Sequence, residues 1–241
     1  MKVWLRVFLL QVMVIVIACS GSAIAEEVLT HVKVKGHSSK FIALTFDDGP
    51  VQGITPQFLS LLEKYQAKAT FFSVGKKVKQ HSDITKLVIA AGHEIGNHSW
   101  SHKNLVELTT DQQKLEIQQF QQQVKSLGIK PTLFRAPFLK KSDSVKQLLI
   151  DNQLLLVSAS VMAKDAKKNV AVSAIVKKLS ADIKSGDIIL MHERQHTLNA
   201  LKILLPLWQE HGYQFVTVSQ LIALSKVTEG KSFKFERLNF L

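Results

Sequence analysis

Residues 41–50, FIALTFDDGP, place two carboxylates, Asp47 and Asp48, at the end of an apolar run and directly before Gly49-Pro50. Asp-Gly suits a tight turn, which accounts for one aspartate. It does not account for two, because adjacent carboxylates repel and the end of a buried strand screens that repulsion weakly. A nearby cation relieves it, and the chain supplies further ligands for one. In GNHSWSH, residues 96–102, His98 and His102 stand four apart. On a helical turn that spacing projects both imidazoles from one face. Two imidazoles and one carboxylate make an N,N,O set with open positions, which suits a catalytic rather than a structural divalent ion. One aspartate can then bind the ion. The other can accept a proton from its water ligand, whose pKa falls to about 7 on coordination.

Other strand-like segments also end in groups with chemistry. GDIILMHE, residues 186–193, carries His192, placed to protonate a leaving group across from a base. LFRAPFL, residues 133–139, carries Arg135, which can orient a carboxylate base through a bidentate pair. SVMAKDAK, residues 160–167, carries Asp165. A carboxylate there can hydrogen-bond a histidine and raise its pKa, although a lone aspartate in a Lys-rich loop also reads as solvated. His196 opens the next helix after a polar turn and reads as a surface residue.

These groups need a scaffold that brings strand ends together. Strand-like segments fall at 41–46, 70–74, 93–97, 132–134, 154–161, 187–191 and 214–218, with helical periodicity between them. The clearest helix is 111–127, where Ile117, Phe120, Val124 and Leu127 fall at helical spacing, the glutamines form the wet face, and Gly128 ends it. VLTHVKVKG, residues 28–36, reads as a short strand or hairpin arm, and the alternating tail 231–241 as an extra strand. Strands alternating with helices predict an α/β fold with parallel pairing, here a closed or nearly closed barrel in one domain. In such folds the chemistry gathers at the C-terminal ends of the strands.

At 241 residues, 46% hydrophobic and 21% charged, the composition is that of a globular chain. The net charge of +12 includes Lys2 and Arg6. With no Arg-rich run interleaved with aromatics, nucleic acid is not an expected partner, and wall polymers or lipid headgroups are the polyanions an exported chain meets. The N-terminus reads as a secretory signal: Lys2 and Arg6, an apolar stretch over residues 7–18, and an A-x-A site at Ala23-Ile24-Ala25. That leaves residues 26–241 as the mature domain. Cys19, the only cysteine, supports a competing lipoprotein reading with a membrane tether. Cut after Ala25, the chain has no disulfide.

Together, TFDDGP (45–50) and HSWSH (98–102), reinforced by ATFFSVG (69–75), GHEIGNH (92–98) and LMH (190–192), resemble the polysaccharide deacetylases with a NodB-homology domain, carbohydrate esterase family 4, over about residues 38–225. The resemblance implies a distorted, TIM-barrel-like (β/α)7 barrel and metal-dependent removal of acetyl groups from N-acetylated sugars. It implies Asp48, His98 and His102 as ligands of the metal; the N,N,O set itself suits Zn2+ first, with Co2+ or Mn2+ accepted by the same ligands. Asp47 is implied as general base, His192 as general acid, Arg135 as aligner of the base, Asp165 as the group that tunes His192, and the backbone N–H of Phe138 as an oxyanion donor. Two departures stand out: Leu139 replaces a glycine of the third motif, and Ala166 stands where the fourth has a tryptophan. The leading expectation is an exported N-deacetylase of N-acetylglucosamine-containing glycans, peptidoglycan or chitin-type. The alternatives are an O-acetyl esterase on xylan or another polysaccharide, and a non-catalytic glycan-binding module.

Overall fold

The computed structural model describes residues 28–34, 36–181 and 183–227. The expected signal segment, Cys19 and the tail 231–241 lie outside them. The strands are β1 (Lys40–Gly49), β2 (Thr70–Ser73), β3 (Glu94–Asn97), β4 (Leu133–Phe134), β5 (Leu155–Leu156), β6 (Val161–Met162), β7 (Ile188–His192) and β8 (Tyr213–Val216). They form one sheet in the order β5-β4-β3-β2-β1-β7-β6, with β8 paired to the first residues of β1. Every strand pairing is parallel.

The two ends of that path, β5 and β6, are consecutive pieces of one run of chain. Its first half pairs with β4 and its second with β7. The sheet therefore curls until its edges meet in a single segment, which is the expected distorted barrel. The strand expected at 154–161 is split because Ser158 and Ala159 leave the ladder at the changeover. Their neighbourhood is closed by other donors: Ser158 N–H donates to the Leu29 carbonyl, and the Arg135 guanidinium donates to the carbonyls of Val157 and Ser158. The arm expected over 28–36 is reduced to isolated bridges, Leu29 with Val157 and His31 with Asp187.

The helices are α1 (Thr55–Lys64), α2 (Gly75–Gln80), α3 (Ser82–Ala90), α4 (Thr110–Lys125), α5 (Asp143–Asp151), α6 (Val172–Ser180), α7 (Gln195–Glu210) and α8 (Val218–Val227). Helix α4 begins at a capping box in which Thr109 and Gln112 satisfy each other's backbone N–H, and buries Ile117, Phe120 and Val124 as the periodicity requires. Its glutamines are not all wet. Gln113 is buried and donates to the carbonyls of Leu105 and Leu108, closing the loop before the helix. Among the described residues no helix is long and apolar enough to cross a membrane.

Strand β1 is buried on both faces, and the alternation of its side chains positions the site. Ile42, Leu44 and Phe46 point outward into the cluster that contains Phe58, Phe71, Leu201 and Leu204. Ala43 belongs to the opposite cluster with Phe72 and Ile188. Thr45 and Asp47 share the face of Ala43, and Arg135 reaches both from across the barrel. Strict alternation would send Asp48 outward with Phe46.

Candidate metal centre and active site

Asp48 escapes that alternation through a local break in β1. It has φ 73°, in the left-handed region, and the register against β2 shifts between Asp47 and Gly49. A bulge of this kind re-aims one side chain. Asp48 Oδ1 then lies 3.1 Å from His102 Nε2 and 3.6 Å from His98 Nε2. The turn is held from below: Lys77 Nζ donates to the Asp48 carbonyl at 2.6 Å, and Glu193 packs against Gly49.

His98 and His102 do not lie on a helical turn. They sit in a loop after β3, with Ser99 and His102 at φ 64° and 59°. Side chains shape this loop. Asn97 Oδ1 accepts the Ser99 N–H, Ser99 Oγ accepts the His102 N–H, and Glu116 accepts from both the N–H and the hydroxyl of Ser101. The two rings nonetheless meet with centroids 4.9 Å apart. His98 Nδ1 lies 2.7 Å from the Arg135 carbonyl, an acceptor only, so Nδ1 carries the proton and Nε2 presents its lone pair to the site.

These donors fit a divalent ion. The ligand atoms of Asp48, His98 and His102 all lie within 4.8 Å of one another. Tetrahedral sites with bonds of about 2.0–2.1 Å place their donors about 3.3 Å apart, close to the separations of Asp48 Oδ1 from the two imidazoles. Asp48 Oδ1 is buried and, apart from the two imidazoles beside it, has no polar partner among the described residues. Burial pushes His98 toward its neutral form, against the opposing fields of Asp47 and Asp48. Burial also opposes ionisation of Asp48, but His102, His98 and His192 outweigh it and hold the carboxyl well below the usual range. A neutral imidazole and an ionised carboxylate are the forms that bind a metal.

The other aspartate is held differently. Asp47 is buried, with Oδ1 2.7 Å from Arg135 Nη1 and Oδ2 3.9 Å from His98 Nε2. One oxygen is fixed and the other faces the site. Arg135 is not the bidentate partner that the sequence suggested. It is fully buried, lies 4.1 Å over the Phe72 ring, and divides its donors among Asp47, Thr45 and the carbonyls of Val157 and Ser158. The carbonyls at the ladder break and the Thr45 hydroxyl take three of its five N–H donors, and Asp47 receives one.

His192 is the register partner of Asp47 on the neighbouring strand β7, which puts the two at the same level of the barrel. Asp165 is fully buried beside it, not solvated. Its Oδ1 is 2.8 Å from His192 Nδ1, and its Oδ2 accepts from the His192 N–H at 2.8 Å and from Thr197 Oγ1 at 2.5 Å. Burial pulls the pKa of His192 down, but the Asp165 hydrogen bond and charge outweigh it, with help from Asp47 and Asp48, and raise it. His196 is half-buried and bonds the Asp165 carbonyl at 2.8 Å, so it is part of this support and not free surface.

Phe138 has φ 58°, and its exposed ring lies 4.9 Å from that of His102. Leu139 follows at φ 57°, holding the left-handed conformation that a glycine adopts without strain, at a cost of about 1–2 kcal/mol.

Residues 35–157 match the family described as polysaccharide deacetylase. The chain belongs to the polysaccharide deacetylase family. A peptidoglycan-N-acetylglucosamine deacetylase of Bacillus cereus is 38% identical over 198 residues, covering 77% of this chain and 90% of the relative. The peptidoglycan-N-acetylglucosamine deacetylase PgdA of Listeria monocytogenes is 35% identical over 201 residues, 83% of this chain but 42% of that longer protein. The structure of the peptidoglycan deacetylase PdaC from Bacillus subtilis superposes with a TM-score of 0.75 at 33% identity, covering 80% of this chain and 95% of the other. In this polysaccharide deacetylase chain, the seven residues expected to carry the chemistry through their side chains, Asp47, Asp48, His98, His102, Arg135, Asp165 and His192, lie at or just beyond strand ends.

Three supporting residues of this polysaccharide deacetylase were not expected from the sequence: Glu193, Arg194 and Lys77. Glu193, next to His192, is buried, accepts from Thr55 Oγ1, and is pushed up to about 7, chiefly by burial. Arg194 Nη2 lies 3.6 Å from Asp48 Oδ2. The glutamate after His192 is the one sequence signal that could have flagged this support. A Cβ on Gly49 would sit 1.4 Å from Glu193 Oε1. Gly49→Ala is therefore expected to destabilise the fold by about 2–3 kcal/mol in urea unfolding. Adding Glu193→Ala is expected to recover part of that loss, and no recovery would show that the clash is not the cause.

Proposed function

We propose that this chain is a metal-dependent N-deacetylase of N-acetylglucosamine-containing glycans, of the peptidoglycan or chitin type, working at the cell envelope. The observation that carries the reading is the convergence of Asp48, His98 and His102 beside a base and an acid that are register partners, Asp47 and His192. Those three side chains would hold the ion, with Zn2+ the best match to the N,N,O set and Co2+ or Mn2+ as alternatives. When bound, a divalent cation supplies a nucleophile at neutral pH and polarises the acetamide carbonyl. Asp47 Oδ2 takes the proton of the attacking water while Arg135 keeps the carboxylate in place. The Phe138 N–H stabilises charge on the carbonyl oxygen. His192 gives a proton to the departing amine nitrogen, and Asp165 keeps that imidazole charged and oriented. Acetate and a free amine result.

Acetate release from chitooligosaccharides, purified peptidoglycan and acetylated xylan, with and without chelator, tests this reading. Chelator-sensitive release from the N-acetylated substrates is expected. Release from xylan alone would establish an O-acetyl esterase, and glycan binding without release a binding module.

The acid assignment has its own pH signature. His192 must be protonated to act, so activity falls as pH rises through its elevated pKa. Removing the carboxylate removes the largest favourable influence on that pKa. Asp165→Asn is expected to move the alkaline limb of kcat/KM to lower pH and to cost about 10–100-fold in activity on that limb. An unmoved limb would exclude His192 as the group being titrated.

A further inference from the structure

A cavity of about 410 Å3 opens along β6, and none of its lining residues belongs to the metal-binding group or the acid–base pair. Three lysines from three segments converge on it: Lys164 after β6, Lys178 on α6 and Lys184 before β7. All three are exposed, and none of their ammonium groups makes an ion pair or hydrogen bond among the described residues. The lining also contains Val161 and Met162, and Met162 is 42% exposed. The remaining acid, Asp187, is buried and fully engaged. Its Oδ1 accepts from Ser160 Oγ at 2.7 Å and lies 3.1 Å from His31 Nδ1, and its Oδ2 accepts the Lys184 N–H at 2.6 Å. It offsets one positive charge and leaves two. The surrounding sequence deepens the field: residues 164–184 contain six lysines and two aspartates, and one of those, Asp165, is committed to His192.

A positive cavity with an apolar wall, at the lower end of the 300–1,000 Å3 range of small-molecule sites, has a definite complement. It suits a ring with a hydrocarbon face that carries an oxyanion. Lysine ammoniums act as point charges and accept carboxylate or phosphate alike. We infer that this cavity is a second binding site, for a saccharide unit bearing a carboxylate or phosphate group. The saccharide part rests on the deacetylase reading, whereas the anion part rests on the lysines alone. Such a site would hold a decorated glycan on the enzyme independently of the residue being deacetylated.

Calorimetric titration of the full chain at low salt with glucuronic acid, N-acetylglucosamine 6-phosphate and inorganic phosphate tests it. At least one anionic sugar is expected to bind, more weakly as salt rises. Lys178→Gln/Lys184→Gln is expected to lower that affinity at least tenfold, with hydrolysis of a neutral chitooligosaccharide unchanged. The sugar that binds identifies the oxyanion as carboxylate or phosphate. Anionic sugars that bind the double variant as well as the wild type, or bind neither, would overturn the proposal. Inorganic phosphate binding as tightly as both sugars would overturn its saccharide part. A chain that binds anionic sugars through these lysines yet releases no acetate would overturn the deacetylase reading and leave this site standing.

Discussion

His102→Ala is expected to abolish acetate release and to lower divalent-metal affinity by at least about 100-fold. Removing an outer partner of a metal ligand typically costs 10–100-fold, so removing a ligand costs at least that much. His102 is the informative ligand because its side chain is 28% exposed. His98 is fully buried, and its ring also serves the Arg135 carbonyl. His98→Ala would leave that carbonyl unpaired at a further cost of about 1–3 kcal/mol. The two variants should therefore separate: both lose metal, but only His98→Ala loses substantial stability. Chelator competition for the metal and urea unfolding for the fold provide the readouts. Wild-type metal affinity in His102→Ala would remove the basis for the whole site.

Asp47→Asn is expected to lower kcat by about 10²–10⁴-fold, the range for a general acid or base, with the metal still bound. Asparagine keeps an oxygen for Arg135 Nη1 but loses the charge that offsets a fully buried guanidinium. A stability loss accompanies it, bounded by the roughly 3–5 kcal/mol of a broken buried pair. Metal content and the unfolding midpoint must be measured on the same preparation as kcat. A folded, metal-loaded variant with near wild-type turnover would remove Asp47 as base.

Much of this protein was legible in its one-dimensional pattern. Apolar runs that alternated with helical periodicity located seven strand positions to within a few residues, because strand and helix burial each repeat over short distances. The Asp-Asp pair and the histidines at 98 and 102 announced a candidate cation site, because those side-chain types have few other reasons to sit beside apolar strand ends. The arrangement of the same residues was not legible. Strand alternation alone sends Asp48 away from Asp47, and only the left-handed backbone and the register shift at β1 bring it back. The His-x-x-x-His spacing suggested a helical turn, but Asn97, Ser99 and Glu116 fold it as a loop through bonds that no periodicity records. Arg135 read as a bidentate partner of the base, but the break at Ser158 leaves carbonyls that take its other donors. Asp165 read equally as a partner for a histidine or as a solvated loop residue, and only the packing of His192, Thr197 and His196 around it decided between them. Residue types and local periodicity specified the elements and the kind of chemistry. Which oxygen faces the candidate metal centre, and which charge is buried, depended on contacts between segments far apart in the chain, where hydrogen-bond satisfaction outweighs local preference.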